Sequence, residues 1–254
     1  MIKSGTMGVL YVVATPIGNL EDITIRAIKM LLTVPVIACE DTRRTGLLIK
    51  ILDDRRFARG PLAKLVRRRF ISVRDWNENM MVRRILEELA VNDVALVSDA
   101  GTPLISDPGY KIVRAARSAG FKVVPVPGPS AVTAALSVAG LPTNKFIFLG
   151  FGGKKVELLL GYTHVIYESP VRLSKLLKSI EERWPMAEIV IASELTKIHE
   201  RIGPWVEAGD DKWRGEVTVL VWLPERKVGK EIAADHGNGD GDVEKGEDGG
   251  GDVG

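Results

Sequence analysis

The chain has 254 residues, of which 45% are hydrophobic and 27% charged, enough for one large or two smaller domains with a substantial core. It contains no run of about 18 apolar residues, which argues against a transmembrane helix, and its single Cys39 excludes an intrachain disulfide and a cysteine-based zinc site. The net charge of +2 is uneven, because residues 237–254 hold six acidic residues and one lysine and so leave +7 on residues 1–236. A basic folded part favours an anionic partner.

The first half of the chain alternates predicted strands with predicted helices, a pattern that favours a parallel, doubly wound sheet. A cap at Asp22 or Thr24 starts the first helix, which runs to Leu32. The other predicted helices span 45–52, 77–90 and 111–119, and the predicted strands span 9–14, 34–38, 71–73, 94–97 and 121–126.

Residues 94–109, VALVSDAGTPLISDPG, are the most informative stretch of the chain. The run from 94 to 97 is apolar without alternation, which is typical of a central parallel strand covered on both faces. Gly101, Pro103 and Pro108 then end the strand. A loop of small residues at the carboxyl end of a parallel strand is where open α/β sheets bind ligands. The alternative is an ordinary turn between a strand and a helix.

The pattern changes after the connector at residues 127–131. A small-residue helix is predicted from 131 to 139 and a second helix from 171 to 184, with strands at 146–151, 164–168, 188–194 and 216–223. More strands and fewer helices predict a mixed α/β domain. We therefore expect an N-terminal α/β domain at 1–127, a C-terminal mixed domain at 128–228 and a disordered, acidic, glycine-rich tail at 229–254.

Residues 55–74 form a basic segment with eight arginines and lysines and no acidic residue. Phe57, Phe70 and Trp76 interleave or adjoin these cations. Arginine next to aromatic rings suits phosphate contact and base stacking, so the segment favours contact with nucleic acid. The alternative interpretation is a solvated charged face.

Several common catalytic motifs are missing from the sequence. There is no phosphate-binding loop, no GxGxxG after the first strand and no GxSxG elbow. His164, His199 and His236 are far apart and lack the spacing of metal ligands. The sequence therefore gives little support to an ATPase, a hydrolase or a metal site.

Six loop motifs, in order, resemble the RsmI-type branch of the tetrapyrrole-methylase-like superfamily. They are TPIGNL at 15–20, EDTR at 40–43, SDAGTPLISDPG at 98–109, PGPSA at 127–131, YESP at 167–170 and ELTK at 194–197, and the likeness covers about residues 9–223. Those enzymes are S-adenosylmethionine-dependent methyltransferases of the cytidine 2′-hydroxyl in small-subunit ribosomal RNA. The resemblance implies two α/β domains with S-adenosylmethionine in the cleft between them, a homodimer, and ribosomal RNA or the small ribosomal subunit as the partner. The single cysteine favours a reducing cytoplasm, and the lack of a long apolar run favours no membrane partner.

The resemblance also implies site residues. The expected cofactor-binding residues are Pro16, Asp99, Ala100, Gly101, Thr102, Ile105, Ser130, Ala131, Glu168 and Leu195. We expect Glu40 and Asp41 to act catalytically by positioning the acceptor, so that Asp41→Asn lowers turnover without weakening cofactor binding. The expected substrate-binding residues are Arg43, which would pair with a phosphate, and Arg67, Arg68, Arg69 and Lys197. The alternative for residues 40–43 is a structural, salt-bridged turn, and Asp99 has the alternative of only capping backbone amides of its own loop.

Three features depart from the family pattern. The segment from Arg74 to Glu78 keeps Asn77 and Glu78 of a histidine-containing HxHNE-like motif but lacks its histidines. An acidic tail stands where longer members carry a small helical domain, and the basic segment is unusually cationic. The alternatives are a methylase of a cyclic tetrapyrrole and a non-catalytic protein that binds adenosylmethionine and RNA.

Overall fold

The computed structural model describes residues 7–54, 67–153, 156–205 and 213–225. Most of the basic segment and all of the predicted acidic tail at 229–254 lie outside the described residues. In the first half the strands are β1 (Val9–Val13), β2 (Val36–Cys39), β3 (Arg69–Ser72), β4 (Val94–Val97) and β5 (Lys122–Val126), and the helices are α1 (Ile25–Thr33), α2 (Thr42–Asp54), α3 (Glu78–Leu89) and α4 (Tyr110–Ser118).

The first sheet is entirely parallel, in the order β3-β2-β4-β1-β5. All four residues of β4 are buried. Ala95 and Val97 pack in one core cluster with α1 and α2. Val94 and Leu96 pack in another with α3 and α4. Because successive side chains of a strand point to opposite faces, this division confirms the doubly wound arrangement.

The second half forms a mixed sheet with one helix on each face. Its elements are α5 (Ala131–Val138), β6 (Phe146–Phe151), β7 (Thr163–Glu168), α6 (Pro170–Arg183), β8 (Glu188–Ser193), β9 (Arg201–Pro204) and β10 (Val217–Trp222). The strand order is β6-β7-β10-β8-β9, in which only the β6–β7 pairing is parallel. Leu177 of α6 packs on one face and Ala135 of α5 on the other. The mixed sheet is therefore confirmed.

Strand β9 was not predicted. It is a short edge strand that pairs with β8 alone and contains Gly203 and Pro204, two residues that disfavour strands. Its pairing with β8 rather than its own composition places it in the sheet.

Side-chain caps decide where two helices begin. The Thr24 hydroxyl accepts a hydrogen bond from the Ala27 amide at 3.1 Å, so Thr24 rather than Asp22 caps α1. The Asp41 carboxylate accepts the amides of Arg43 and Arg44 at 2.8 and 3.4 Å, and α2 accordingly starts three residues before the predicted position of 45.

The first sheet ends at Val126 and the second begins at Phe146. The proposed domain division after residue 127 falls between the two sheets and stays a prediction. Within the described ranges, no helix is both long and apolar enough to cross a membrane.

Candidate active site

Three loops of the first sheet begin side by side. Val97 of β4 lies in register with Val13 of β1 and with Cys39 of β2. The chain continues from these strand ends into the residues after 13, 39 and 97. Because all three strands are parallel, the three loops meet at one edge of the sheet, where open α/β sheets bind ligands.

The loop at residues 98–109, here called the 98–109 loop, is fixed to its neighbours at its start. Gly101 and Thr15 exchange backbone hydrogen bonds of 3.0 and 2.9 Å, and the Thr102 hydroxyl donates to the Pro129 carbonyl at 3.0 Å. Gly101 has φ +85°, and a Cβ there would lie 3.2 Å from Cγ2 of Ile17. The position therefore needs glycine both for its backbone angle and for close approach.

The far end of the 98–109 loop is held by Glu78. This residue of α3 is only 5% exposed, and its Oε1 accepts the amides of Gly109 and Lys111 at 3.0 and 2.8 Å. The neighbouring Asn77 accepts the Arg74 amide at 2.7 Å. The two residues that match the family's HxHNE-like segment thus hold loops in place.

A cleft of about 360 Å³ opens between the 98–109 loop and strands β7 and β10 of the second sheet. Nine predicted site residues line it: Glu40, Asp99, Ala100, Gly101, Thr102, Ile105, Ser130, Ala131 and Glu168. The lining also includes residues that the sequence interpretation did not name: Ile17, Arg44, Ser106, Asp107, Phe151, Tyr167, Ser169, Gly215, Glu216, Val217 and Thr218. Several of these residues belong to the motifs quoted above, so membership of a motif was the signal that could have identified them.

Other predicted residues lie beside the cleft rather than on its surface. Pro16 precedes the lining residue Ile17, and Leu195 is 8% exposed and packs in the same core cluster as Ile17. Lys197 Nζ is 3.7 Å from Oε2 of Glu216, which lines the cleft, and 2.9 Å from Oε1 of Glu194. Leu195 thus supports the wall from behind, and Lys197 lies at its edge.

Asp41 and Arg43 do not line the cleft, and the geometry favours the structural alternative for this turn. The Asp41 carboxylate caps α2, and the hydrogen bond from the Arg43 amide is the main reason that its pKa is lowered. The Asp41 amide donates to Oδ1 of Asp99 at 3.1 Å, while Oδ2 of Asp99 lies 3.2 Å from Nη1 of Arg44. Asp99 therefore caps a neighbouring loop instead of its own. Arg44, which was not predicted, is the arginine of this turn that reaches the cleft.

Arg67, Arg68 and Arg69 lie away from the cleft. Arg69 starts β3 in register with Val36, the first residue of β2, so all three arginines sit at the amino edge of the sheet, opposite the loops. Arg68 donates from Nε and Nη2 to the carbonyls of Leu31 and Leu32 at 3.0 and 2.5 Å, which caps the end of α1. Arg69 Nη2 lies 2.5 Å from Oε2 of Glu88. The expectation that these arginines bind substrate stays a prediction, and their positions place them away from the cleft.

The cleft is lined mainly by acidic side chains and contains a carboxyl group with a strongly shifted pKa. Its lining holds the carboxylates of Glu40, Asp99, Asp107, Glu168 and Glu216 and one cation, Arg44. Burial, followed by the negative charge of Glu40, raises the pKa of Asp107 to about 7, although a hydrogen bond from Ser98 opposes the rise. Burial and the charge of Asp99 also raise the pKa of Glu40.

Aromatic and apolar side chains complete the walls. Tyr167 packs edge-to-face on Phe148 and Phe151, with ring centroids 4.9 and 5.7 Å apart. Burial raises the pKa of Tyr167 to about 12, so its phenol stays protonated. Phe151 and Ile105 expose 63% and 37% of their surface, which leaves apolar area available to a ligand.

Two polar groups of the second sheet are held by contacts within the protein. Oε1 of Glu168 accepts the Ser169 amide at 2.7 Å and lies 2.6 Å from Nη2 of Arg172. His164 is fully buried, and its Nε2 accepts the Leu159 amide at 2.9 Å.

In the part of the chain that the structure describes, no cluster of three or more histidine, cysteine or acidic side chains could hold a metal ion.

Comparison with known proteins relates the chain to one family. The model of the Tetrapyrrole (Corrin/Porphyrin) Methylases matches residues 9–208. A protein of Vibrio cholerae named Ribosomal RNA small subunit methyltransferase I is 40% identical over 84% of this chain and 76% of its own length. Proteins of the same name from Hydrogenobaculum sp. and Thermotoga maritima are 44% and 41% identical, over 75% and 85% of this chain and 82% and 98% of their own lengths.

The solved structures show a similar fold. The crystal structure of uroporphyrin-III-C-methyltransferase from Thermus thermophilus superposes with a TM-score of 0.57, covering 85% of this chain and 94% of that one at 20% sequence identity. At this identity the likeness concerns the fold alone.

Proposed function

The chain belongs to the tetrapyrrole (corrin/porphyrin) methylase family, and we propose that it is an S-adenosylmethionine-dependent methyltransferase that modifies the ribose 2′-hydroxyl of a cytidine in small-subunit ribosomal RNA. The resemblance expected from the six loop motifs is confirmed by the family match and by relatives named Ribosomal RNA small subunit methyltransferase I. The methyltransferases of this family use S-adenosylmethionine, as expected.

The observation that supports the proposal is the cleft, which lies beside the tightly packed 98–109 loop and is lined by acidic side chains. Its volume of about 360 Å³ falls in the usual range for small-molecule sites. Adenosylmethionine carries a net positive charge, because its sulfonium and ammonium groups outweigh its one carboxylate. A lining with five acidic side chains and one arginine would attract it. The residues present therefore fit this cofactor.

We propose that the 98–109 loop holds the cofactor. Ala100, Gly101 and Thr102 offer backbone groups that a ligand can approach closely, since Gly101 has no side chain. Ile105 and Phe151 offer an apolar wall for an adenine ring. When bound, adenosylmethionine supplies an electrophilic methyl group on a positively charged sulfur.

The acceptor would enter beside Glu40, which lines the cleft at the end of β2. Alignment of the acceptor oxygen with the methyl group supplies much of the acceleration in such transfers. Arg43 is exposed on the first turn of α2, and Lys197 lies at the edge of the cleft, so both are proposed to contact phosphates of the RNA. Glu40 is proposed to position the ribose.

Cell location and assembly are further parts of the proposal. A protein that methylates ribosomal RNA is expected in the cytoplasm, where its substrate is. The homodimer is supported by the family resemblance, and sedimentation of the purified protein would test it directly.

Transfer of labelled methyl groups tests the function. The protein is incubated with methyl-labelled adenosylmethionine and, in separate reactions, with undermethylated small ribosomal subunits, free small-subunit RNA or a tetrapyrrole precursor. We expect label in the RNA or the subunit, released by nuclease digestion as 2′-O-methylcytidine. Label in the tetrapyrrole alone would instead identify a tetrapyrrole methylase. Cofactor binding by calorimetry without label in any acceptor would identify a binding protein.

A further inference from the structure

Asp107 occupies a fixed position in the cleft. The 98–109 loop is locked at Gly101 by its backbone pair with Thr15 and at Gly109 by the Glu78 carboxylate. The intervening backbone is strained, since Leu104 and Ser106 have φ values of +72° and +66° without being glycine. Strain of this kind persists where surrounding contacts hold it, and it is concentrated at functional sites.

We propose that the Asp107 carboxylate accepts the proton of the RNA hydroxyl during methyl transfer, an assignment that rests on the proposed function. The hydroxyl oxygen forms a bond to the methyl carbon as the carbon–sulfur bond breaks, and the electron pair of that bond stays on sulfur. The hydroxyl proton passes to Asp107. The products are the 2′-O-methyl ribose, neutral S-adenosylhomocysteine and a protonated Asp107, which then releases its proton to water.

Three of the other four acidic residues of the cleft are less suited to this role. Asp99 accepts the Asp41 amide and pairs with Arg44, and Oε1 of Glu168 accepts the Ser169 amide and pairs with Arg172. Oε2 of Glu216 lies 3.7 Å from Nζ of Lys197. An acceptor hydroxyl would have to compete with these partners for each carboxylate.

Asp107 has the opposite environment. Three carboxylates disfavour its ionisation: Glu40 after β2, Asp75 after β3 and Asp99 after β4. The Ser98 hydroxyl favours its ionisation. Tyr167 of β7 is close enough for the Asp107 charge to raise the pKa of its phenol. With a pKa of about 7, Asp107 both accepts and releases a proton readily near neutral pH.

The first test needs no turnover. Carboxyl-carbon NMR of the protein without ligand, in wild type and Asp107→Asn, identifies the Asp107 signal as the one that the variant lacks. We expect this signal to titrate near neutral pH, and Glu40→Gln to move its midpoint to lower pH by removing a neighbouring negative charge. A midpoint below about 5, close to that of an ordinary aspartate, would overturn the proposal.

The second test measures a single turnover of methyl transfer to the small subunit at saturating adenosylmethionine, as a function of pH. In the wild type the rate should rise with pH and level off above the pKa of Asp107. Asp107→Asn should slow transfer by about 100-fold or more and remove this rise, and Asp107→Glu should restore part of both. Glu87→Gln is the control, because Glu87 lies on the surface of α3 with 63% of its side chain exposed.

The outcomes separate the two proposals. If the wild type labels no RNA, the proposed function fails whatever Asp107 does. If the wild type labels RNA and Asp107→Asn keeps both the rate and its pH dependence, the assignment of Asp107 alone fails. Loss of the pH dependence in Glu40→Gln but not in Asp107→Asn would transfer the role to Glu40.

Discussion

Replacing Asp107 by asparagine should stabilise the protein, and more strongly as the pH rises. The folded protein holds the Asp107 proton more tightly than the unfolded chain, because its pKa is raised from 3.8 to about 7. Ionisation of Asp107 therefore lowers the free energy of unfolding. This loss is absent below the unfolded pKa of 3.8, grows as the pH rises, and is complete above the folded pKa of about 7. Asparagine has nearly the same shape and carries no charge.

The size of the effect follows from the shift. At about 1.4 kcal/mol for each pKa unit, the full cost is about 4 kcal/mol as an upper limit, since solvent screens a side chain that is only partly buried. On the same upper-limit basis, roughly 1.5 kcal/mol of the cost is already present near pH 5. The advantage of Asp107→Asn over wild type should therefore grow with pH, by at most about 2 to 3 kcal/mol between about pH 5 and about pH 8.

Urea unfolding of wild type, Asp107→Asn and the surface control Glu87→Gln, at both pH values, measures this difference. Glu87→Gln should track the wild type. An equal difference between Asp107→Asn and wild type at the two pH values would refute the reasoning, because it would mean that Asp107 ionises in the fold as it does in the unfolded chain. The same result would weaken its assignment as the proton acceptor. Stabilisation by removal of a functional group is the trade-off expected when a carboxyl is buried for catalysis.

Two further substitutions test the loop and the arginines. Gly101→Ala should lower the free energy of unfolding by about 1 to 2 kcal/mol, because its φ of +85° disfavours a side chain. It should also weaken adenosylmethionine binding in calorimetry. Gly46→Ala is the control and should not weaken binding, because its Cβ would meet no atom within 4 Å. Arg68→Ala should lower the free energy of unfolding by about 1 to 3 kcal/mol by uncapping α1, whereas Arg67→Ala should not. If Arg68→Ala weakens RNA binding in a filter assay and leaves stability unchanged, its structural assignment is wrong.

Much of the fold could be predicted from local patterns. The unbroken apolar run at Val94–Val97 predicted a strand covered on both faces, and the core clusters on its two sides confirm it. The change of pattern after residue 127 predicted the mixed sheet. Nine residues expected in the cofactor and catalytic sites line the cleft, because the ends of parallel strands, where ligand loops lie, could be located from the apolar runs before them. Their roles stay predictions.

What the sequence by itself determined is therefore the family, the order of every strand and helix except β9, and most of the loops on the first sheet's side of the cleft, since these depend on periodicity and on motifs within a few residues. Only the tertiary structure decided what individual polar side chains do. Arg68 belongs to the end of α1 some 36 residues earlier, and the pKa of Asp107 depends on burial and on Glu40, Asp75 and Asp99. The cap at Asp41 is local, because its carboxylate accepts amides only two and three residues away. Burial and the charges of Glu40 and Asp75, which raise the pKa of Asp107, come from residues distant in sequence, so no local pattern shows them.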